Sequence, residues 1–250
     1  TNTLGYQHQY MFNRLQLNTG EGHYNNIAQL TQTARTDWSW SVLISDLDLD
    51  ADKDIYVTNG YRRYALDNDS QQNVTKAKQQ YGRSVPLEVK KELYYNLPTE
   101  KLPNIMFEQT SNLHFENSAK DWGLADYTFS SGAGLGDLDN DGDLDLVINN
   151  MDETAILYKN NAVELKIGNY LKVELKGTHS EQSAKVQIAY NGTNQLIVPR
   201  RVRGYRSSQE NTAVFGLGSH DKIDTLRVTW DNGTIEERYG IPLNTTQVFE

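Results

Sequence analysis

Asp137-Leu-Asp-Asn-Asp-Gly-Asp-Leu-Asp145 places a carboxylate at every second position of nine residues, and Asp46-Leu-Asp-Leu-Asp-Ala-Asp-Lys-Asp54 does the same 91 residues earlier. Five like charges so close together repel one another and destabilise the chain unless a cation neutralises them. In a tight loop the side chains at positions 1, 3 and 5 turn inward, position 7 can offer its carbonyl, and a later carboxylate can close the shell. Such an all-oxygen cage suits calcium (Ca2+), with magnesium as the alternative ion of stricter geometry. An EF-hand requires Glu at position 12, where this chain has Val57 and Ile148. Position 9 instead carries Asp54 and Asp145, followed by Ile55-Tyr-Val57 and Leu146-Val-Ile148, which read as buried strands. Each cage therefore sits in a turn that opens a β-strand. Gly142 fills position 6 of the second loop, where a sharp turn favours positive φ. Ala51 stands there in the first, and a left-handed Cβ costs about 1 kcal/mol, so the first site is expected to bind more weakly or to adopt a slightly different turn.

The repetition extends beyond the loops. The same shift of 91 residues lays Trp38 on Phe129 and Tyr24 on Phe115 without a gap. Each copy reads as a strand (Arg14-Leu-Gln-Leu17; Asn104-Ile-Met-Phe107), a strand around Tyr24 or Phe115, a third near Trp40 or Ser130, the acidic loop, and a fourth strand. Four short strands per unit describe a propeller blade.

Charge is concentrated in the same places. Of 33 acidic residues, ten are Asp46, Asp48, Asp50, Asp52, Asp54, Asp137, Asp139, Asp141, Asp143 and Asp145. The remaining 23 nearly balance the 24 Lys and Arg, so the formal charge of -9 is two foci on a neutral background. The chain has no cysteine, hence no disulfide framework or thiolate site. No apolar run approaches the length of a membrane span.

The acidic loops, together with Phe107-Glu-Gln-Thr-Ser-Asn-Leu-His-Phe115, Asp121-Trp-Gly-Leu124 and Asp37-Trp-Ser-Trp40, resemble FG-GAP/VCBS repeats, the blades of integrin-α-type β-propellers. The resemblance implies calcium ligation by Asp46, Asp48, Asp50, Asp54 and the Asp52 carbonyl. In the second loop it implies Asp137, Asp139, Asp141, Asp145 and the Asp143 carbonyl. The loss of glycine at Ala51 departs from the family pattern.

From Asn169 the texture changes. Leu171, Val173 and Leu175 alternate with polar residues, as do Val186 and Ile188 before Asn191-Gly192, and Leu226, Val228 and Trp230 before Asp231-Asn-Gly233. This pattern predicts an antiparallel β domain built from hairpins. Asn169-Tyr-Leu-Lys-Val173, Arg203-Gly-Tyr-Arg-Ser-Ser208, Phe215-Gly-Leu-Gly218 and Val228-Thr-Trp-Asp-Asn-Gly233 resemble the ASPIC/UnbV domain. That module follows FG-GAP/VCBS repeats in cartilage acidic protein and in surface proteins of Bacteroidetes-type bacteria.

The expected organisation is a mainly β chain. It comprises a partial β-propeller of one blade region at 1–60 and a second blade at 103–165, separated by a helical insertion at 61–102. A β domain follows at 166–250. Within the insertion, Pro86-Leu-Glu-Val-Lys-Lys-Glu-Leu-Tyr-Tyr95 has good helix formers bounded by Pro86 and Pro98. Tyr94 and Tyr95 are expected to pack this helix onto the blades.

Enzymatic parts are missing. His8, His23, His114, His179 and His220 form no metal-binding spacing, and there is no nucleophile elbow or phosphate-cradling loop. Gly216-Leu-Gly218 is read as a tight β-turn. A glycoside-active pair among the many carboxylates is the remaining enzymatic reading, and a non-enzymatic role is expected. Two binding readings stand. One is a calcium-stiffened structural module that engages another protein chain, and the other a glycan-binding surface using the 15 Tyr and 4 Trp. Trp38, Trp40, Trp122 and Trp230 are expected mainly to pack. Arg200, Arg201, Arg203 and Arg206 form a basic patch on a hairpin edge without a nucleic-acid motif.

Two blades do not close a ring that takes 4 to 8. The expectation is a longer propeller, or strands contributed by another polypeptide, with the strand-like Tyr10-Met-Phe-Asn-Arg14 as an abrupt start. Weak cages filled only by extracellular calcium imply a secreted or surface-displayed protein.

Overall fold

The computed structural model describes residues 12–65, 67–176 and 184–250. His8, His179 and the first two residues of the 10–14 stretch lie outside them. Within the described residues the chain is mainly β, with several sheets, none closed into a barrel.

The amino-terminal part contains β1 (Gln16–Asn18), β2 (Tyr24–Asn26), β3 (Ser39–Ser45) and β4 (Asp54–Asn59). Two helices follow, α1 (Asn68–Tyr81) and α2 (Leu87–Tyr95). Next come β5 (Leu102–Pro103), β6 (Ile105–Ser111), β7 (His114–Asn117), β8 (Tyr127–Thr128), β9 (Ser130–Gly136), β10 (Asp145–Asn150) and β11 (Ile156–Tyr158). The sequence repeat survives residue for residue where it matters most: β3 and β4 superpose on β9 and β10 under the 91-residue shift, and each pair flanks its acidic loop. Both loops are closed by the same rung, Ser45↔Asp54 in the first and Gly136↔Asp145 in the second.

The sheets do not follow the repeat boundaries, which corrects the expected blade. The four-stranded sheet runs β3-β4-β6-β7, joining the last two strands of one copy to the first two of the next. β1-β2 stand apart as a hairpin, and β11-β10-β9 make a three-stranded sheet. The reason lies in the connections. The stretch between the second and third strands of each copy, 27–38 and 118–129, does not fold back as a hairpin. In the second copy it turns into the space between sheets, where Ala119 and Leu124 pack with Leu43, Tyr56, Met106, Leu135 and Ile148. The opposite face of the four-stranded sheet carries Ile55, Val57, Phe107 and Phe115, with Leu15 from the amino-terminal side against it. Apolar residues on both faces of β4 are buried because each face has its own cluster, with Tyr56 in the first and Ile55 and Val57 in the second.

The insertion is a helical hairpin. Asp67 caps α1 through the Ser70 amide at 2.8 Å, and Gly82 ends it at φ +63°. Pro86 precedes α2 as read from sequence. Tyr94 and Tyr95 do not dock onto the sheets: both are exposed, in edge contact with each other and under the Arg63 guanidinium.

The carboxy-terminal part is a two-sheet sandwich of β12 (Asn169–Leu175), β13 (Lys185–Tyr190), β14 (Thr193–Ile197), β15 (Thr212–Gly218), β16 (Ile223–Thr229), β17 (Ile235–Ile241) and β18 (Thr245–Phe249). Sheets β15-β12-β18 and β14-β13-β16-β17 enclose Leu171, Val173, Val186, Ile188, Phe215, Leu226, Val228 and Phe249, all buried. Turns at Asn191-Gly192 and Asp231-Asn-Gly233 lie where the pattern puts them, with Asn191 at φ +46°. The domain is not wholly antiparallel, because β12 pairs with β18 in parallel. Gly216-Leu-Gly218 is the end of β15 rather than a turn. The Arg200 to Arg206 stretch belongs to the long β14–β15 connection, not a hairpin edge, and it reaches back to β3 and β9. There the Tyr205 amide donates to Ser41 Oγ at 3.2 Å, and a Cβ on Gly132 would meet Ser207 Oγ at 2.7 Å.

Candidate metal centres

Position 9 organises both loops. In the first, Asp54 Oδ2 accepts the Leu47 amide at 3.0 Å and Oδ1 the Gln109 amide at 3.2 Å. In the second, Asp145 Oδ2 accepts Leu138 N at 2.9 Å and Oδ1 accepts Asn160 N at 2.9 Å. Both aspartates are buried. They tie the start of the loop to its end and to the next strand or linker. Position 5 makes a second matched contact: Asp50 Oδ1 accepts Asp52 N at 2.8 Å, and Asp141 Oδ1 accepts Asp143 N at 3.2 Å. The tight turns need left-handed residues at positions 4 and 6, namely Leu49 (φ +63°) and Ala51 (+84°), then Asn140 (+62°) and Gly142 (+111°). The strain expected at Ala51 is therefore present.

These turns bring the carboxylates of positions 1, 3 and 5 together. One oxygen each of Asp46, Asp48 and Asp50 lies within 4.8 Å of the others, and Asp137, Asp139 and Asp141 do likewise. Asp54 and Asp145 stand beside these clusters, engaged with backbone amides. Asp52 is half-buried at the rim, whereas Asp143 is fully buried and joins Asp141 and Glu164 in a third cluster. The residues fit a cation on one direct observation. Asp46 Oδ1, Asp137 Oδ1, Asp141 Oδ2 and Asp143 Oδ1 are buried yet accept no hydrogen bond. Burial pushes Asp46 up to about 6, Asp48 and Asp143 to about 7 and Asp54 to about 8, with the neighbouring carboxylates adding to the shift.

Several residues at these sites carry no signal in the sequence. Lys172 is the clearest: on β12 it alternates with buried Leu171 and Val173, so its side chain reads as solvent-facing. It is instead buried, with Nζ 2.8 Å from Asp137 Oδ2. Lys53 approaches Asp46 Oδ2 at 3.9 Å and bonds Gln195 at 3.1 Å. Lys159 lies 2.6 Å from Asp139 and 2.5 Å from Glu164. Asn160 Nδ2 donates to Leu47 O at 2.7 Å and to Leu144 O at 3.2 Å, bridging the two loops. The loops are thus neighbours roofed by the carboxy-terminal sandwich. Leu49 packs with Ala162, Val214 and Tyr170, and the Gly218 amide donates to Leu49 O at 2.8 Å. A Cβ at Gly216 would overlap Asp46, and one at Gly142 would overlap the Tyr170 ring. Glycine is required at 216 by that close approach rather than by a turn.

Trp122 and Trp230 pack against the cores, as expected, whereas Trp38 and Trp40 are half-buried outside them. Trp230 closes the sandwich core and donates to Glu236 at 2.6 Å, Trp122 lies against the inter-sheet core, and Trp40 Nε1 donates to Gly60 O at 2.9 Å. No helix among the described residues is long and apolar enough to cross a membrane.

The sequence model of the family described as ASPIC and UnbV matches residues 177–250. This is the part of the chain that supplies β13 to β18; β12, the central strand of its first sheet, precedes the match. No curated protein matches the chain.

Proposed function

We propose that this protein is a calcium-binding structural and interaction module of the extracellular space or cell surface, without enzymatic activity. In this reading FG-GAP/VCBS-like blades are tied by their metal loops to an ASPIC/UnbV-like domain. The observation that carries the reading is the set of four buried carboxylate oxygens without a hydrogen-bond partner, one in the first loop and three in the second. Each such group would cost about 1–3 kcal/mol or more if left uncompensated.

Asp46, Asp48 and Asp50 would hold one ion and Asp137, Asp139 and Asp141 another, with Asp54 and Asp145 fixing the loops and the Asp52 and Asp143 carbonyls at position 7. Calcium would supply the positive charge these oxygens lack. Irregular oxygen cages with several carboxylates favour it over magnesium. Cages of this kind in outward-facing modules bind at about 0.1 to 1 mM, which suits a calcium-rich exterior. The partner in this reading is another protein chain, or further blades that continue the row of sheets.

The experiment is a pair of thermal melts, in millimolar calcium and in chelator, with a magnesium arm. Calcium should raise the melting temperature by several degrees, since a ligand of the native state stabilises it by mass action. Identical curves would end the proposal. A sub-micromolar affinity would contradict the extracellular assignment.

A glycan-binding reading is favoured by one feature. Trp38, Trp40, Tyr61, Tyr64 and Tyr205 form a continuous ledge of half-buried rings with centroids 4.5 to 6.3 Å apart. A saturable glycan-array signal, lost in Trp38→Ala, is its test.

A further inference from the structure

We infer that the second acidic loop holds two divalent cations, the additional one taken by Asp141, Asp143 and Glu164. The inference rests on the calcium reading above and adds a ligand set to it. The repeat gives both loops an aspartate at position 7, but its surroundings differ. Asp52 is half-exposed and belongs to no cluster among the described residues. Asp143 is fully buried; its Oδ2 is held by the Val163 amide at 3.0 Å, while Oδ1 is buried without a partner. One oxygen each of Asp141, Asp143 and Glu164 lies within 4.8 Å of the others, and Asp141 also belongs to the cluster with Asp137 and Asp139. Asp141 Oδ2 is buried and accepts no hydrogen bond, its nearest cation being Lys159 at 3.8 Å, so it can bridge the two positions.

Charge points the same way. Asp137, Asp139, Asp141, Asp143 and Glu164 make up the two clusters, and Asp145 lies close enough to Asp143 to repel it, so six carboxylates share one neighbourhood. The ion pairs that the described residues supply to them come from Lys159 and Lys172. One divalent cation leaves half of the remaining negative charge, and a second cancels it. The ammonium of Lys159 marks where positive charge is wanted: it lies 2.6 Å from Asp139, 2.5 Å from Glu164 and 3.8 Å from Asp141. Being about half exposed on a long stem, it can swing aside for an ion that the buried Asp143 oxygen can reach and the ammonium does not. Glu164 lies in the connection between β11 and β12, so the second ion would pin that connection, and with it the sandwich, to the acidic loop.

The test is a count of calcium bound to the whole chain by equilibrium dialysis at about 10 mM free calcium, roughly tenfold above the weakest affinities of such modules. Three ions per chain are expected, falling to two in Glu164→Gln, while Lys159→Met keeps three and half-fills the additional position at several-fold lower calcium. Glu164 and Lys159 are exposed, so both variants should fold, which near-ultraviolet circular dichroism checks. A wild-type count of two, or an unchanged count in Glu164→Gln, overturns this inference and leaves the calcium reading standing. A count of zero overturns both.

Discussion

The two acidic loops have the same backbone and different surroundings. Position by position they share left-handed residues, the position 9 aspartate that ties the loop to its own start, and the closing rung of the strand pair. Over the first loop lies mostly backbone: Gly216 against Asp46, and Gly218 hydrogen-bonded to Leu49. Over the second lie side chains, with Tyr170 on Gly142 and Lys172 buried against Asp137. The difference teaches that a repeated motif specifies the cage, while its charge balance depends on what the rest of the fold lays across it.

The largest effect should separate the two lysines. Removing one partner of a buried ion pair costs about 3–5 kcal/mol, because the other charge is left stranded. Lys172→Met should approach this in chelator, measured by urea unfolding, and recover part of it in calcium. Lys53→Met, whose side chain is a third exposed and 3.9 Å from Asp46, should lose far less. Equal losses would break the comparison.

Next come the ligands. At calcium about a hundredfold above its dissociation constant, one site contributes about 2.7 kcal/mol. Asp141→Ala should abolish most of the second loop's share of the calcium-dependent rise in melting temperature. Asp50→Ala should remove less if the strained Ala51 turn weakens the first site as proposed.

Position 6 gives a smaller pair of opposite sign. Gly142→Ala drives a Cβ into the Tyr170 ring and should destabilise by about 1–3 kcal/mol, as overpacking does. Ala51→Gly relieves the left-handed Cβ at φ +84° and should stabilise by about 1 kcal/mol, with tighter calcium binding at the first loop. Denaturation midpoints and calcium titration measure both. A destabilised Ala51→Gly would show that the turn is not strained.

The shallowest trend should be with pH. Asp46, Asp48 and Asp54 are raised from 3.8 to about 6, 7 and 8 by burial. The folded chain therefore binds more protons than the unfolded one between pH 4 and 8. The stability this contributes is complete below pH 4 and is lost as pH rises through 6 to 8. Melting temperature in chelator should fall across that window, and saturating calcium should flatten the fall by holding the deprotonated forms. Asp48→Asn should flatten the chelator slope. Asp139→Asn should not, because Lys159 holds Asp139 below the usual carboxylate range.

By itself the sequence determined the two acidic loops, the strand that follows each, the alternation of Leu171, Val173 and Leu175, and the hairpin turns at Asn191 and Asp231. These features are written in spacing, and spacing of two or of a tight turn fixes where a side chain points whatever lies beyond. Only the tertiary structure decided that β4 pairs with β6 across the repeat boundary, that β18 joins β12 in parallel, and that Gly216 within β15 presses on Asp46. It alone placed Lys172 on Asp137, 35 residues earlier in the chain. Alternation separates the two faces of β12 but does not record that the second face is covered. That cover comes from a loop far away in sequence, and a lysine facing water and a lysine facing a buried carboxylate leave the same local pattern.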